Sequence, residues 1–166
     1  IESITGSTDK SIVSLQYDSR RIQANDVFVA IKGGVFDGHA FISKAIDKGA
    51  TVVVCQVLPE KLIKQVTYIV VGNTSKALAM MASNYYENPS DNLKLVGVTG
   101  TNGKTTTAYM LNKLLGCSGV KCGLISTVKY ELGNQSISAS RTTPEAGQLQ
   151  QLFRQMIKKQ KINFLK

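Results

Sequence analysis

A glycine-rich segment that ends in Gly103-Lys104-Thr105 carries the residue types best suited to chemistry in this chain. The apolar run Leu95 to Val98 precedes it, and residues 106–115 have the pattern of a helix. A strand, a glycine loop, a lysine, a hydroxyl and a helix in this order suit a nucleoside triphosphate, because backbone N–H groups and the helix N-terminus both attract phosphates. We predict that Lys104 reaches the β- and γ-phosphates and that Thr105 binds Mg²⁺.

This loop departs from the general pattern G-x-x-x-x-G-K-[ST] at one position. The first glycine of that pattern would fall on Val98, and the chain has Gly97 and Gly100 instead. A simple glycine turn with a solvated Lys104 is the alternative interpretation. The strand-to-helix context favours phosphate binding over it.

Composition and charge are those of a globular chain with one basic half. The 166 residues are 43% hydrophobic and 19% charged, which suffices for one sizeable core or two small domains. Lys and Arg exceed Asp and Glu by one in residues 1–90 and by eight in residues 91–166, which gives the net charge of +9. The basic half could attract anionic substrates or nucleic acid. Its last lysines have no interleaved aromatic residues, so a solvated face is favoured there.

Other compositional features exclude several classes of protein. The apolar runs are too short to span a membrane, and no secretion signal is recognisable. The three cysteines are scattered without C-x-x-C spacing, which argues against a disulfide framework and a zinc site. We expect a cytoplasmic protein with neither nucleic acid nor a membrane as partner. The lone histidine, His39, is interpreted as structural.

Strand and helix patterns alternate in the first half. Strands are expected at 12–17, 27–31, 51–57 and 68–71. A helix at 40–48 would end at Gly49, and a helix at 75–86 would be capped by Asn73 or Thr74. The side chains expected to point inward from these two helices are Phe41, Ala45, Ile46, Ala77, Leu78, Met81 and Tyr85.

Turn-forming residues at 88–92 predict a domain boundary near Pro89, with domains at 1–90 and 91–166. Beyond it we expect strands at 95–98 and 121–128, a hairpin around Gly133-Asn134, and another strand from 162. Thr143-Pro144-Glu145 should open a helix whose buried stripe is Leu149, Leu152, Phe153, Met156 and Ile157. The alternation predicts an α/β fold with a mostly parallel sheet, and the chain is expected to be an N-terminal fragment of a longer protein.

Several segments, in the same order, resemble the Mur ligase family. They are Tyr17-Asp18-Ser19-Arg20 with Asp26-Val27-Phe28-Val29-Ala30, Gly33 to His39, Gly97 to Thr107, and Arg141-Thr142-Thr143-Pro144-Glu145. Mur ligases share the displaced first glycine of the loop. The Thr-Thr-Pro element resembles the tripeptide-synthetase (MurE) type within the family.

The resemblance implies a small α/β UDP-binding domain followed by the start of a P-loop-type, mostly parallel α/β domain that binds ATP. ATP would contact Gly100, Thr101, Asn102, Gly103, Lys104, Thr105 and Thr106. The UDP part of the substrate would contact Tyr17, Ser19, Gly34, Val35 and Phe36. The muramoyl-peptide part would contact Arg141, Thr142 and Thr143.

The reaction that the resemblance implies is ATP-dependent amide formation in peptidoglycan biosynthesis, with Mg²⁺. ATP phosphorylates the D-Glu carboxylate of UDP-N-acetylmuramoyl-L-alanyl-D-glutamate, and the amine of a diamino acid attacks the acyl phosphate. Lys104 would be catalytic. Family members supply further Mg²⁺ ligands, a carbamylated lysine and a third domain from positions beyond Lys166, so this chain is expected to be inactive alone.

Three alternatives stay open at this stage. The chain could belong to another Mur ligase of the same pathway, or to a P-loop NTPase that acts on nucleic acid. It could also be a non-catalytic module that binds UDP-sugars. Which diamino acid is added, and the oligomeric state, are not specified by these residues.

Overall fold

The computed structural model describes residues 1–34, 36–133, 135–139 and 144–160. Its internal contacts divide the chain into two units, Ile1–Met81 and Ala82–Lys166. The division falls inside a helix, a few residues before the turn cluster at 88–92.

Unit 1 is built on a five-stranded sheet of order β1-β5-β4-β3-β2. Its strands are β1 (Ser3–Thr5), β2 (Leu15–Gln16), β3 (Val27–Val29), β4 (Val52–Cys55) and β5 (Thr67–Val70). β2 to β5 pair in parallel, and β1 pairs antiparallel with β5. The four predicted strands are confirmed: β2, β3 and β4 are shorter than predicted, and β5 is shifted one residue towards the N-terminus. β1 was not predicted, because its exposed side chains show no alternation between buried and polar positions.

The centre of this sheet is buried on both faces. Every residue of β3 and β4 is buried, as continuous β-branched runs of central parallel strands require. Helix α1 (Ile42–Asp47) follows a 3-10 turn at Gly38–Phe41 and adds Ile42 and Ala45 to the core. Phe41, predicted to point inward, is 39% exposed. The 3-10 turn rotates it off the buried face, and Ile42 takes that place.

Helix α2 (Thr74–Tyr85) starts where the capping pattern predicts. The Asn73 side chain accepts the Lys76 N–H at 2.8 Å. Leu78 is buried, as predicted, and shares a stripe of four-residue spacing with Thr74 and Ala82. The inward prediction for Tyr85 is wrong, since this side chain is 50% exposed.

The described part of unit 2 contains the end of α2, a 3-10 turn at Pro89–Asn92, two further helices and an antiparallel sheet of order β6-β7-β8. These helices and strands are α3 (Lys104–Cys117), β6 (Gly123–Ile125), β7 (Lys129–Leu132), β8 (Gln135–Ser138) and α4 (Ala146–Gln160). The predicted hairpin around Gly133 is confirmed by the pairing of β7 with β8. Parallel pairing, expected for this half, does not occur among its described strands, because short turns join them directly.

The helix predicted after Pro144 packs as its periodicity indicates. Leu152, Phe153 and Met156 of α4 are buried against Tyr130 and Leu132 of β7. The helix begins at Ala146, and the predicted cap, Thr143, lies outside the described residues. The predicted strand from 162 also lies outside them.

Residues 95–98 contradict the prediction of a strand. This segment pairs with no strand of the described chain, and Leu95 and Val96 are 55% and 68% exposed. An apolar run becomes a strand only when a neighbour takes its N–H and C=O groups. Such a neighbour is absent among the described residues.

A substitution of Gly38 tests how closely the chain after β3 approaches the 3-10 turn. A Cβ at this position would lie 2.6 Å from the Ile31 nitrogen and 2.8 Å from its oxygen. We expect Gly38→Ala to lower the free energy of unfolding by about 1–3 kcal/mol, since the clash is with backbone. Urea denaturation of the 166-residue chain measures the change. Gly34→Ala is the control, because its Cβ would meet nothing within 4 Å; equal losses in both variants would contradict the prediction.

Candidate functional site

The glycine loop leads directly into the N-terminus of α3, which has no side-chain cap. Gly100 and Gly103 have φ of 149° and 75°, values that side chains disfavour. No side chain caps the helix at Gly103, and its first turn contains no acidic residue. The first helical bond runs from the Thr107 N–H to the Gly103 carbonyl at 2.9 Å, so the N–H groups of residues 104–106 have no acceptor in the helix. Such an end binds anions.

Lys104 folds over this loop. Its ammonium donates to the carbonyls of Gly100 at 2.6 Å and Thr101 at 3.1 Å. Both acceptors are neutral, whereas a phosphate oxygen would make a stronger, charge-assisted hydrogen bond. The lysine therefore stands where it can contact an anion at the helix end.

Thr127 also lies at the start of α3, although no sequence pattern predicted it there. A shallow pocket of about 290 Å³ is lined by residues 101–106 and by Thr127. The Thr127 hydroxyl oxygen lies 3.0 Å from that of Thr105. Six of the seven predicted ATP-contacting residues thus line one pocket together with the Thr127 hydroxyl, and Gly100 precedes them outside the lining.

A tight turn between β6 and β7 places Thr127. The Ser126 N–H and hydroxyl both donate to the Lys129 carbonyl, at 3.1 and 2.9 Å. The sequence predicted an unbroken strand at 121–128, since no Asn-Gly or Asp-Gly pair marks the turn. Ser126 itself is buried in this turn.

Polar contacts hold α3 against β7. The Glu131 carboxylate lies 2.5 Å from the Lys129 ammonium and accepts the Asn112 amide N–H at 3.0 Å. The Lys129 nitrogen is 5.5 Å from the centre of the Tyr109 ring. The hydrogen bond to Glu131 raises the pKa of Lys129. These contacts keep α3, and with it the glycine loop, beside the Ser126 turn.

A second group of predicted site residues follows the carboxyl ends of β2 and β3. Tyr17 is half-buried and Ser19 is buried in the segment after β2. Gly34 and Phe36 lie in the loop after β3, and Phe36 is 73% exposed. Because β2 and β3 are parallel neighbours, both segments lie at one edge of the sheet, where open parallel sheets bind ligands.

The loop after β3 is closed by its own backbone. Lys32 and Asp37 form an antiparallel bridge, and the Gly33 N–H donates to the Phe36 carbonyl at 2.9 Å. We call residues 32–34, 36 and 37 the β3 loop. This closure holds Phe36 out from the sheet edge.

Four predicted site residues have no described position. Val35, Arg141, Thr142 and Thr143 lie outside the described residues. In the described part of the chain, no helix is long and apolar enough to cross a membrane. No cluster of three or more His, Cys, Asp or Glu forms a metal site there, and Cys55, Cys117 and Cys122 are free thiols.

Comparison with known proteins matches both halves of the chain. The catalytic domain of the Mur ligase family matches residues 11–86, and the Mur ligase middle domain matches residues 98–165. The chain belongs to the Mur ligase family. The resemblance carried by the glycine loop and the Thr-Thr-Pro element is therefore confirmed at the level of the family.

Two curated relatives are similar over nearly the whole chain. The UDP-N-acetylmuramoyl-L-alanyl-D-glutamate--2,6-diaminopimelate ligase of Clostridium tetani is 48% identical over 156 residues, 93% of this chain and 32% of that protein. The ligase of the same name from Cytophaga hutchinsonii is 45% identical over 157 residues, 94% of this chain and 32% of that protein. The chain spans about a third of the length of these Mur ligases.

Solved structures confirm the α/β fold. A UDP-N-acetylmuramoyl-L-alanyl-D-glutamate--2,6-diaminopimelate ligase matches 89% of this chain and 30% of its own, with a TM-score of 0.66 and 21% identity. The MurF ligase of Thermotoga maritima, solved in complex with ADP, matches 84% and 28%, with a TM-score of 0.51 and 28% identity.

The ionisation of Asp18 provides a test of the contacts in the segment after β2. Its carboxylate accepts two hydrogen bonds from the Arg20 guanidinium, at 2.9 and 2.8 Å, and this partner lowers the pKa of Asp18 from 3.8 to about 2. A lowered pKa stabilises the fold above pH 4, and that stability is lost as the pH falls through 2. We expect a loss below about 1 kcal/mol, because the Arg20 side chain is 80% exposed.

Urea denaturation of the chain at several pH values between 5 and 2 measures this loss. Asp18→Asn should remove it, whereas Asp47→Asn, which changes an exposed carboxylate on α1, should retain it. An acid dependence that Asp18→Asn leaves unchanged would contradict the assignment.

Proposed function

We propose that this chain is the UDP-substrate-binding and ATP-binding part of an ATP-dependent ligase of peptidoglycan biosynthesis. The ligase would join a diamino acid to UDP-N-acetylmuramoyl-L-alanyl-D-glutamate. The uncapped start of α3 with Lys104 folded over the glycine loop carries the proposal. It is supported by the names of the relatives, which also favour 2,6-diaminopimelate as the diamino acid.

The two halves of the chain have separate roles, one in binding the UDP substrate and one in binding ATP. Residues 1–90 form the UDP-substrate domain, and residues 91–166 form part of the ATP-binding domain. The two matched regions, 11–86 and 98–165, support a boundary between them close to Pro89.

ATP binds at the start of α3. The backbone N–H groups of residues 104–106 and the Lys104 ammonium contact its phosphates, and Gly100 to Gly103 let the backbone approach. The ADP bound to the MurF ligase of Thermotoga maritima supports the use of a nucleotide.

The oxygen ligand available at this helix end also suits Mg²⁺. Thr105 offers a hydroxyl oxygen, and Mg²⁺ takes hard oxygen ligands while keeping phosphate oxygens and water in its shell. The ion supplies charge neutralisation for the transferred phosphoryl group. Lys104 orients the γ-phosphate for transfer to the D-Glu carboxylate, and the diamino acid amine then displaces phosphate from the acyl phosphate.

The UDP part of the substrate binds at the carboxyl edge of the unit 1 sheet. Ser19 and Tyr17 offer hydroxyl groups, and Gly34 and Phe36 offer backbone N–H groups and the exposed Phe36 ring. Arg141, Thr142 and Thr143 contact the muramoyl-peptide part. The free thiols support a reducing, cytoplasmic location.

Lys104→Ala tests the assignment in the full-length ligase. We expect the rate of ADP formation to fall by a factor of about 10²–10³ or more, because the variant lacks the cation that faces the transferred phosphoryl group. The assay is ADP release that depends on UDP-N-acetylmuramoyl-dipeptide and the diamino acid. That dependence also separates a ligase from a UDP-sugar-binding module and from another NTPase.

Lys113→Ala is the matched control, since Lys113 is an exposed lysine of the same helix. Its rate should stay within about twofold of wild type, as for a surface substitution away from the site. Turnover of Lys104→Ala within tenfold of wild type would defeat the assignment.

A further inference from the structure

The ring of His39 joins the β3 loop to the end of β4. Its Nδ1 lies 2.6 Å from an Asp37 carboxylate oxygen, and its Nε2 lies 2.8 Å from the backbone nitrogen of Gln56. The side chain is only 18% exposed. We call the Asp37–His39–Gln56 contacts the His39 clamp.

The partners of the ring determine its tautomer. The Gln56 backbone nitrogen can only donate, so Nε2 must accept with its lone pair. The proton is therefore on Nδ1, which donates to Asp37, and the ring is neutral. The same Asp37 oxygen accepts the His39 backbone N–H at 2.9 Å. These two hydrogen bonds from His39 lower the pKa of the Asp37 carboxyl and favour the ionised acceptor.

The clamp continues along the carboxyl edge of the sheet. The Gln56 side-chain oxygen accepts the Thr74 hydroxyl at 3.1 Å, and its amide nitrogen is 3.4 Å from the Gly72 carbonyl. Thr74 is the first residue of α2 and is buried. A hydrogen-bonded series thus links the β3 loop, the end of β4 and the start of α2.

We propose that His39 is a positioning residue for the UDP part of the substrate, acting through the β3 loop. This inference rests on the proposed function for the role of Gly34 and Phe36. Asp37 closes the loop by its bridge with Lys32, and His39 ties Asp37 to β4. Without the imidazole, the loop keeps its own closure but loses its side-chain link to β4.

The tautomer can be read from the wild-type chain without any variant. A long-range ¹H–¹⁵N correlation spectrum should show a protonated Nδ1 and a pyridine-type Nε2 at neutral pH. A protonated Nε2 would overturn the proposal, because it cannot accept from Gln56. The backbone amide hydrogen of Gln56 should exchange at least about tenfold faster in His39→Leu than in wild type. Equal exchange rates would also overturn it.

Steady-state kinetics of the full-length ligase test the positioning. His39→Leu should raise the KM for UDP-N-acetylmuramoyl-dipeptide about tenfold, as expected for a lost hydrogen-bonded support, with kcat and the KM for ATP within about twofold. His39→Gln, whose side-chain oxygen can accept the Gln56 N–H, should recover most of that loss. Lys44→Ala, an exposed change on α1, is the control and should leave all three constants unchanged.

The outcomes separate this inference from the proposed function. An unchanged KM in His39→Leu, equal impairment by Leu and Gln, or a loss that falls equally on kcat and on the KM for ATP would refute positioning. Wild-type enzyme that does not use the UDP substrate would refute the proposed function and, with it, the substrate role of the loop. The tautomer and the exchange rates would still show whether the clamp forms.

Discussion

The parallel register of the buried strands β3 and β4 is the constraint on which the rest of unit 1 depends. Val27 pairs with Val52 and Val29 with Val54, and both strands are buried on both faces. A slip of one residue would place every side chain on the opposite face. Because parallel strands end at the same edge, this register brings the segments after β2, β3, β4 and β5 together there. The His39 clamp joins two of those segments, and the Gln56 side chain links them to the start of α2, which follows β5.

In unit 2, the candidate phosphate site depends mainly on structure formed by neighbouring residues of the chain, whereas the carboxyl edge of unit 1 depends on strand register. Glycines at 100 and 103 adopt backbone conformations that side chains disfavour, and the helix that follows supplies the N–H groups. Such a motif needs only a few consecutive residues, so its pattern is readable in the sequence. Thr127 is different, because it reaches Thr105 only through the turn that joins β6 to β7.

Local periodicity predicted several elements correctly. The stripe of Leu152, Phe153 and Met156 is buried on α4, and Asn73 caps α2. The failures all concern pairing or orientation. Residues 95–98 have the composition of a strand without a described partner, and Tyr85 at the end of α2 is half exposed. Neither outcome is contained in the segment's own residues, since each depends on which neighbour is available.

The sequence by itself determined the glycine loop, the helix that follows it, four of the five strands of unit 1 and the membership in a ligase family. These features depend on residue type and on spacing over a few positions. Only the tertiary structure placed Thr127 beside Thr105 and assigned His39 its proton, its acceptor and its donor. Thr105 and Thr127 are 22 positions apart along the chain, and His39 and Gln56 are 17 apart. Contacts over such separations arise from sheet register and turn geometry, which no short pattern of residues encodes.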